Sequence, residues 1–216
     1  MNPPRHDALL AELATHGLKS MGHFAITAQD MLPLETGTLM LIGPDEPRFW
    51  SVFTQSPAYR DQGADPLDRW SRQTLDKVAA DHDALALYPF GGPPFQPFHS
   101  WALRSGQAWT SPIGFLVHAT AGLFASYRGA LLLNWTFAQA PPQSSPCDTC
   151  PTQPCKTACP VGAFDDGYDV DTCKTYLRSP AGNDCMHQGC AARRACPVGQ
   201  GRRLPAQAHF HMKAFL

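Results

Sequence analysis

Eight cysteines lie between Cys147 and Cys196, and none lies in the first 146 residues. They run Cys147-x2-Cys150-x4-Cys155-x3-Cys159-Pro160, then Cys173, then Cys185-x4-Cys190-x5-Cys196-Pro197. Eight thiolates make two sets of four, the number that two 4Fe-4S cubes require. Each run closes on the same pentapeptide, Ala-Cys-Pro-Val-Gly, at Ala158–Gly162 and at Ala195–Gly199, so the unit is duplicated. The predicted chemistry is the handling of single electrons.

The spacing has a physical basis. A loop with ligands every few residues can wrap three corners of a cube and turn its backbone N–H groups toward the sulfides. The last cysteine of each run sits where the loop is expected to turn into a helix, since Pro160 and Pro197 suit a first helical position. It therefore faces away from its own loop, as in bacterial ferredoxin-type runs, and serves the other cluster. The predicted ligand sets are Cys147, Cys150, Cys155 and Cys196 for one cluster and Cys159, Cys173, Cys185 and Cys190 for the other. The chain departs from the ferredoxin run at one point: four residues, not two, separate Cys150 from Cys155. Pro151 and Pro154 in this insertion imply a rigid, wider loop.

Two other thiol chemistries compete with this reading. Zinc ribbons favour paired C-x2-C knuckles, whereas the chain has one such pair and a repeated Cys-Pro ending that zinc does not require. A disulfide framework needs an oxidising compartment, and the opening MNPPRHDALLAEL lacks the cationic start and apolar core of an export signal. The cytoplasm is the expected location.

At 216 residues, 44% of them hydrophobic, the chain can bury one good core and carry a cysteine-rich appendage. The net charge is −1 and no run of Lys or Arg appears, so no nucleic-acid partner is expected. No apolar stretch is long enough to span a bilayer, so no membrane is expected either. Gln139–Pro146 reads as a proline- and serine-rich linker, which divides the chain into residues 1–138, a linker at 139–146 and a cysteine domain at 147–216. Helices are predicted over Asp7–His16, Arg48–Thr54, Asp65 to about Ala80 and Phe98–Ser105. Strands are predicted over Met21–Ile26, Thr38–Ile42 and Ala84–Tyr88. Phe115–His118 and Phe124–Trp135 are read as a strand pair turning near Ala121-Gly122. The expected class is α+β, an antiparallel or mixed sheet flanked by helices.

The segments Ser111–His118 and Gly122–Gly129, followed by the cysteine runs, give a further indication. In that order they resemble the cobalamin-dependent iron–sulfur reductases, a group that includes epoxyqueuosine reductase and the reductive dehalogenases. Gly92–Arg104 and Arg128–Leu133 are also similar to the cobalamin-processing (decyanating) protein. The resemblance implies a nitroreductase-like domain that holds a corrinoid, followed by a double 4Fe-4S ferredoxin-like domain. It also implies an external electron donor, such as a ferredoxin or flavoprotein, and a corrinoid or small-molecule ligand. The part before the cysteines is shorter than in epoxyqueuosine reductase and no tRNA-gripping helical repeat follows them, so tRNA is not an expected substrate.

Candidate cofactor-binding residues are His118, Tyr127, Arg128, Phe98 and Trp101. His118 offers an axial ligand or a proton donor, although a buried histidine bonded to backbone is commoner. Arg128 could meet a corrinoid amide or a carboxylate, or form a surface ion pair. Phe98 and Trp101, with Phe90, Phe95 and Trp109, could line a flat pocket or build an ordinary core. No G-x-G-x-x-G cradle points to a dinucleotide. The function expected is that of a reductase passing electrons through two clusters to a cobalamin or substrate held by the N-terminal domain. A plain ferredoxin-type carrier with a partner-docking domain, and a corrinoid-processing protein that removes the upper ligand, are the alternatives. A bare carrier needs only a small cluster-held domain, so the long N-terminal part favours the reductase.

Overall fold

A computed structural model describes residues 3–138, 141 and 143–216. Of the expected linker, Gln139, Ala140 and Pro142 lie outside the described residues. In chain order the elements are α1 (Pro3–Thr15), β1 (Leu18–Ile26), β2 (Gly37–Pro44), α2 (Arg48–Thr54), α3 (Pro57–Arg60), α4 (Pro66–Asp81), β3 (Ala84–Leu87) and α5 (Phe98–Arg104). There follow β4 (Ala108–Thr110), β5 (Leu116–His118), β6 (Gly129–Leu133), α6 (Val170–Arg178), α7 (Asn183–Gln188), α8 (Ala191–Arg194) and α9 (Pro205–Phe215). The class is α+β, with every strand pairing antiparallel. Among the described residues no helix is long and apolar enough to cross a membrane.

The chain divides into two compact units, Met1–Gln107 with Ser126–Pro142, and Ala108–Ala125 with Gln143–Leu216. Residues Ala108–Ala125 were expected within the 1–138 block and instead join the cysteine-bearing unit.

The first unit is built on a four-stranded sheet in the order β1-β2-β6-β3. Its two central strands, β2 and β6, are buried at every residue. That explains their unbroken apolar runs, Leu39–Ile42 and Ala130–Leu133, where a sheet with one wet face would alternate. Leu39 pairs with Leu132 and Leu41 with Ala130, so the register is set apolar against apolar. Helix α4 packs on β3 and β6 through a face that includes Trp70, Leu75 and Val78. Trp70 meets Phe49 and Phe53 edge-on, which ties α2 to the same core. Gly17 ends α1, with φ of 67° and the Phe49 backbone so near that a Cβ would meet it at 2.8 Å.

Pro66 opens α4, and Asp65 before it has φ of 47° and makes no side-chain capping bond. Proline at the first position starts the helix without it. The strand pair Phe115–His118 with Phe124–Trp135 does not form. β5 pairs with β4, while β6 lies between β2 and β3. The turn at Ala121–Gly122 exists, but it closes at once through reciprocal His118–Gly122 backbone bonds of 3.0 Å each, and residues Phe124–Arg128 leave as irregular chain. An all-apolar strand such as β6 carries no alternation to reveal its partner, so sequence adjacency misled. Finally, Pro160 and Pro197 open turns rather than helices. Two residues after each, Gly162 and Gly199 take φ of 60° and 76°, a left-handed bend that a helix cannot continue through.

Candidate iron–sulfur centre

The second unit has few large apolar residues of its own near the cysteines, and the β4–β5 hairpin supplies them. Ile113, Val117 and Leu123 form a buried cluster with Cys155, Ala192 and Cys196. The hairpin's far end carries Gly122, with φ of 56°. A Cβ there would meet the Val198 carbonyl oxygen at 2.1 Å and Cys196 Sγ at 3.1 Å. A Cβ on Gly199 would in turn meet the Ala121 carbonyl oxygen at 2.6 Å. The second Ala-Cys-Pro-Val-Gly turn is thus pressed backbone to backbone against the hairpin. Glycine is needed on both sides.

All eight cysteines are free thiols. They are brought together in two groups of four, each around a cavity. The first cavity is walled by Cys147, Cys150, Cys155 and Cys196. The second is walled by Cys159, Cys173, Cys185 and Cys190. These are the crossed sets read from the spacing: Cys159 stands with the later cysteines and Cys196 with the earlier ones. Among the described residues no three His, Cys, Asp or Glu side chains converge closely enough to hold a single metal ion. The sulfurs surround space instead.

The electrostatics group the thiols in the same way. Burial, first, pushes Cys155 above the ordinary thiol range, and the charges of Cys147, Cys196 and Cys150 add to it. Burial likewise raises Cys147, with Cys196 and Cys150 adding. In the other group burial raises Cys173, with Cys159 and Cys185 adding, and raises Cys190, with Cys173 adding. No thiol in these four cases acts across the two groups. Four thiolates in an apolar hollow repel one another, so this donor set fits a cationic iron centre and not bare charge.

Hydrogen-bond donors are unevenly shared. Ala163 N–H donates to Cys159 Sγ at 3.4 Å. The Tyr168 hydroxyl donates to Cys173, the Ala191 N–H to Cys185, and the Ala192 and Arg193 N–H groups to Cys190. Each thiol of the second group therefore has a donor. In the first group the Ser145 hydroxyl bonds to Cys147 and Cys155 uses its own backbone N–H. Gln153, with φ of 39°, leads into a 3-10 turn at Pro154–Lys156 that buries Cys155, and Gln153 and Pro154 become part of the cavity wall.

With this geometry in hand the comparisons with known proteins can be read. No protein-family model matches the chain. Over 151 residues it is 28% identical to the epoxyqueuosine reductase of Shewanella oneidensis, an overlap of 63% of this chain and 37% of that enzyme. The chain thus spans well under two thirds of the relative's length.

The remaining candidates are dispersed. His118 belongs to the second unit, while Phe98, Trp101, Tyr127 and Arg128 belong to the first. His118 is 4% exposed, and its Nδ1 accepts the N–H groups of Thr120 and Ala121 at 3.1 and 3.3 Å, holding the hairpin turn. Phe98 and Trp101 are 7% and 5% exposed and pack on each other at 5.0 Å. Tyr127 lies beside Phe98, and burial pushes its phenol pKa up. Its buried hydroxyl has no hydrogen-bond partner among the described residues. Arg128 pairs with Asp68 at 3.6 Å. Sequence reasoning missed Tyr168 as a sulfur donor and the Gly122–Gly199 approach; the repeated glycine of the pentapeptide was the available signal for the latter.

Gly122→Ala tests the close approach. A side chain in left-handed backbone costs roughly 1–2 kcal/mol, and the Val198 carbonyl must also move. The variant is expected to unfold at least about 2 kcal/mol more easily in urea, through loss of the second unit. An unchanged midpoint would show that the hairpin and the Cys196 turn are not in contact.

Proposed function

We propose that this chain is an iron–sulfur reductase that moves single electrons toward a cobalamin or a small substrate held by its first unit. The reading is carried by one observation: two cavities, each walled by four thiols, with Cys159 and Cys196 exchanged between the runs. Two 4Fe-4S clusters held by these sets would supply one-electron transfer when bound. The chain's own part is to hold the eight thiolates, to keep water out with apolar walls and to set the potentials through donors to sulfur. The likeness to an epoxyqueuosine reductase supports the reductase chemistry. The electron source in this reading is an external ferredoxin or flavoprotein. A net charge of −1 without a basic run favours a small-molecule acceptor over a nucleic acid.

The corrinoid part of the reading draws on the resemblance across Ser111–Leu133, with its nitroreductase-like domain. The buried, unpartnered Tyr127 hydroxyl supports it, because such a group normally finds a partner and a bound ligand would supply one. Phe98 and Trp101 serve that site as packing behind Tyr127 and not as an open wall.

Anaerobically purified protein should contain roughly eight iron and eight sulfide per chain, with a broad visible band that dithionite bleaches. Hydroxocobalamin should then bind with a changed visible spectrum. Stoichiometric zinc without a visible band would end the iron–sulfur reading. Clusters with an unaltered cobalamin spectrum would leave the plain electron carrier in its place.

The crossing of ligands has its own test. Cys159→Ala should damage the cluster of Cys173, Cys185 and Cys190 and spare the one beside it in sequence, which electron paramagnetic resonance can separate. Loss of only the Cys147–Cys155 cluster would establish local ligation instead.

Tyr168→Phe removes one donor to sulfur while keeping the ring. It should lower the potential of the second cluster by roughly 20–60 mV, the worth of one neutral hydrogen bond in a one-electron step. The first cluster's midpoint should not move in the same redox titration. Equal shifts in both would show that Tyr168 acts through the fold and not through Cys173.

A further inference from the structure

The β4–β5 hairpin brings more than apolar side chains to the first thiol group. Ser111 opens its turn, and both backbone groups of that residue are used there. Its N–H donates to the Phe115 carbonyl at 2.8 Å, and its carbonyl accepts the Gly114 N–H at 2.9 Å. The turn therefore closes without the side chain. A serine in a turn often spends its hydroxyl on a nearby backbone group. Ser111 does not: the residue is 5% exposed, and its buried Oγ has no hydrogen-bond partner among the described residues. Burying a hydroxyl unpaired is costly, and buried hydroxyls normally have a partner.

Ser111 stands in the wall of the first cavity, the one that Cys147, Cys150, Cys155 and Cys196 share. Around it the wall is built of apolar side chains such as Val117 and Leu123, and of prolines that have no N–H. The acceptors that such a hollow gathers are sulfurs, and a hydrogen bond to a charged acceptor is stronger than one between neutral groups. We propose that the Ser111 hydroxyl donates a hydrogen bond to a sulfur of the cluster held by Cys147, Cys150, Cys155 and Cys196, and so raises that cluster's reduction potential. The proposal rests on the iron–sulfur reading above. One electron enters from the external donor, or from dithionite in the test, and leaves for the acceptor. The hydroxyl keeps its proton throughout, and no bond forms or breaks at Oγ. Its hydrogen bond strengthens as negative charge gathers on sulfur, which favours the reduced state.

Ser111→Ala removes the hydroxyl and leaves the turn's backbone bonds in place. The anaerobically purified full chain is titrated with dithionite and followed by electron paramagnetic resonance, with iron and sulfide counted on every sample. In the alanine variant, reduction of the first cluster should become about three- to tenfold less favourable, a fall of roughly 30–60 mV at about 59 mV per tenfold for one electron. The second cluster's midpoint should not move. Ser111→Thr keeps the hydroxyl and should return the first midpoint to that of the unmodified chain, which a packing effect alone would not do. Ser111→Gly should give the same fall as alanine, and it decides the matter if the alanine variant fails to load iron. An unmodified chain without iron ends the cluster reading and this proposal with it. A fully loaded Ser111→Ala chain whose first midpoint is unmoved overturns this proposal alone. So does an equal fall in both clusters, or a threonine variant that falls as far as alanine.

Discussion

The second unit depends on the need to bring four thiols from both cysteine runs around one apolar hollow. Neither run completes its own group. The first has three thiols until Cys196 returns to it, and the second has three until Cys159 is lent. Each exchange ties distant chain together. Burial and neighbouring sulfurs push the proton affinities of these thiols up. Any metal centre bound by such a set would be linked to folding of the unit.

A unit so short of large side chains needs its core from elsewhere. The β4–β5 hairpin provides it, although in sequence it sits inside the residues that build the sheet. The sheet unit is thereby made of two chain segments, with β6 joining β2 and β3 after the excursion. The hairpin can approach the Cys196 turn because Gly122 and Gly199 face each other's neighbouring carbonyls. The equivalent glycine in the first pentapeptide, Gly162, has the same backbone hand but faces Asp165 instead. One motif therefore serves two contacts: docking in one copy and a local turn in the other.

The spatial grouping of the cysteines was legible because it follows from their identity and spacing, which survive any misjudgement of secondary structure. Helices α2, α4 and α5 were legible within a residue or two from their apolar period and their prolines. The pairing of β6 was not, because a strand buried on both faces carries no alternation, and the nearest turn signal at Ala121–Gly122 belonged to another contact. The unit boundary failed for a related reason. Composition marks the proline-rich stretch near Pro141–Pro146, but nothing in composition records that Ile113, Val117 and Leu123 pack on Cys155 and Cys196. Candidate residues such as His118 and Trp101 were identified by type alone, and type does not distinguish a turn-holding imidazole or a core indole from a ligand.

Duplication gave the two thiol groups equal numbers of ligands but not equal surroundings. Pro112, Pro146, Pro154 and Pro197 stand in the wall of the first cavity, and proline has no N–H to offer a sulfur. In the second group, the start of α8 turns three successive N–H groups, those of Ala191, Ala192 and Arg193, toward Cys185 and Cys190. Tyr168 adds a hydroxyl to Cys173. A proline-rich cradle and a helix start thus give two copies of one motif different polar surroundings, with the same number of thiols in each.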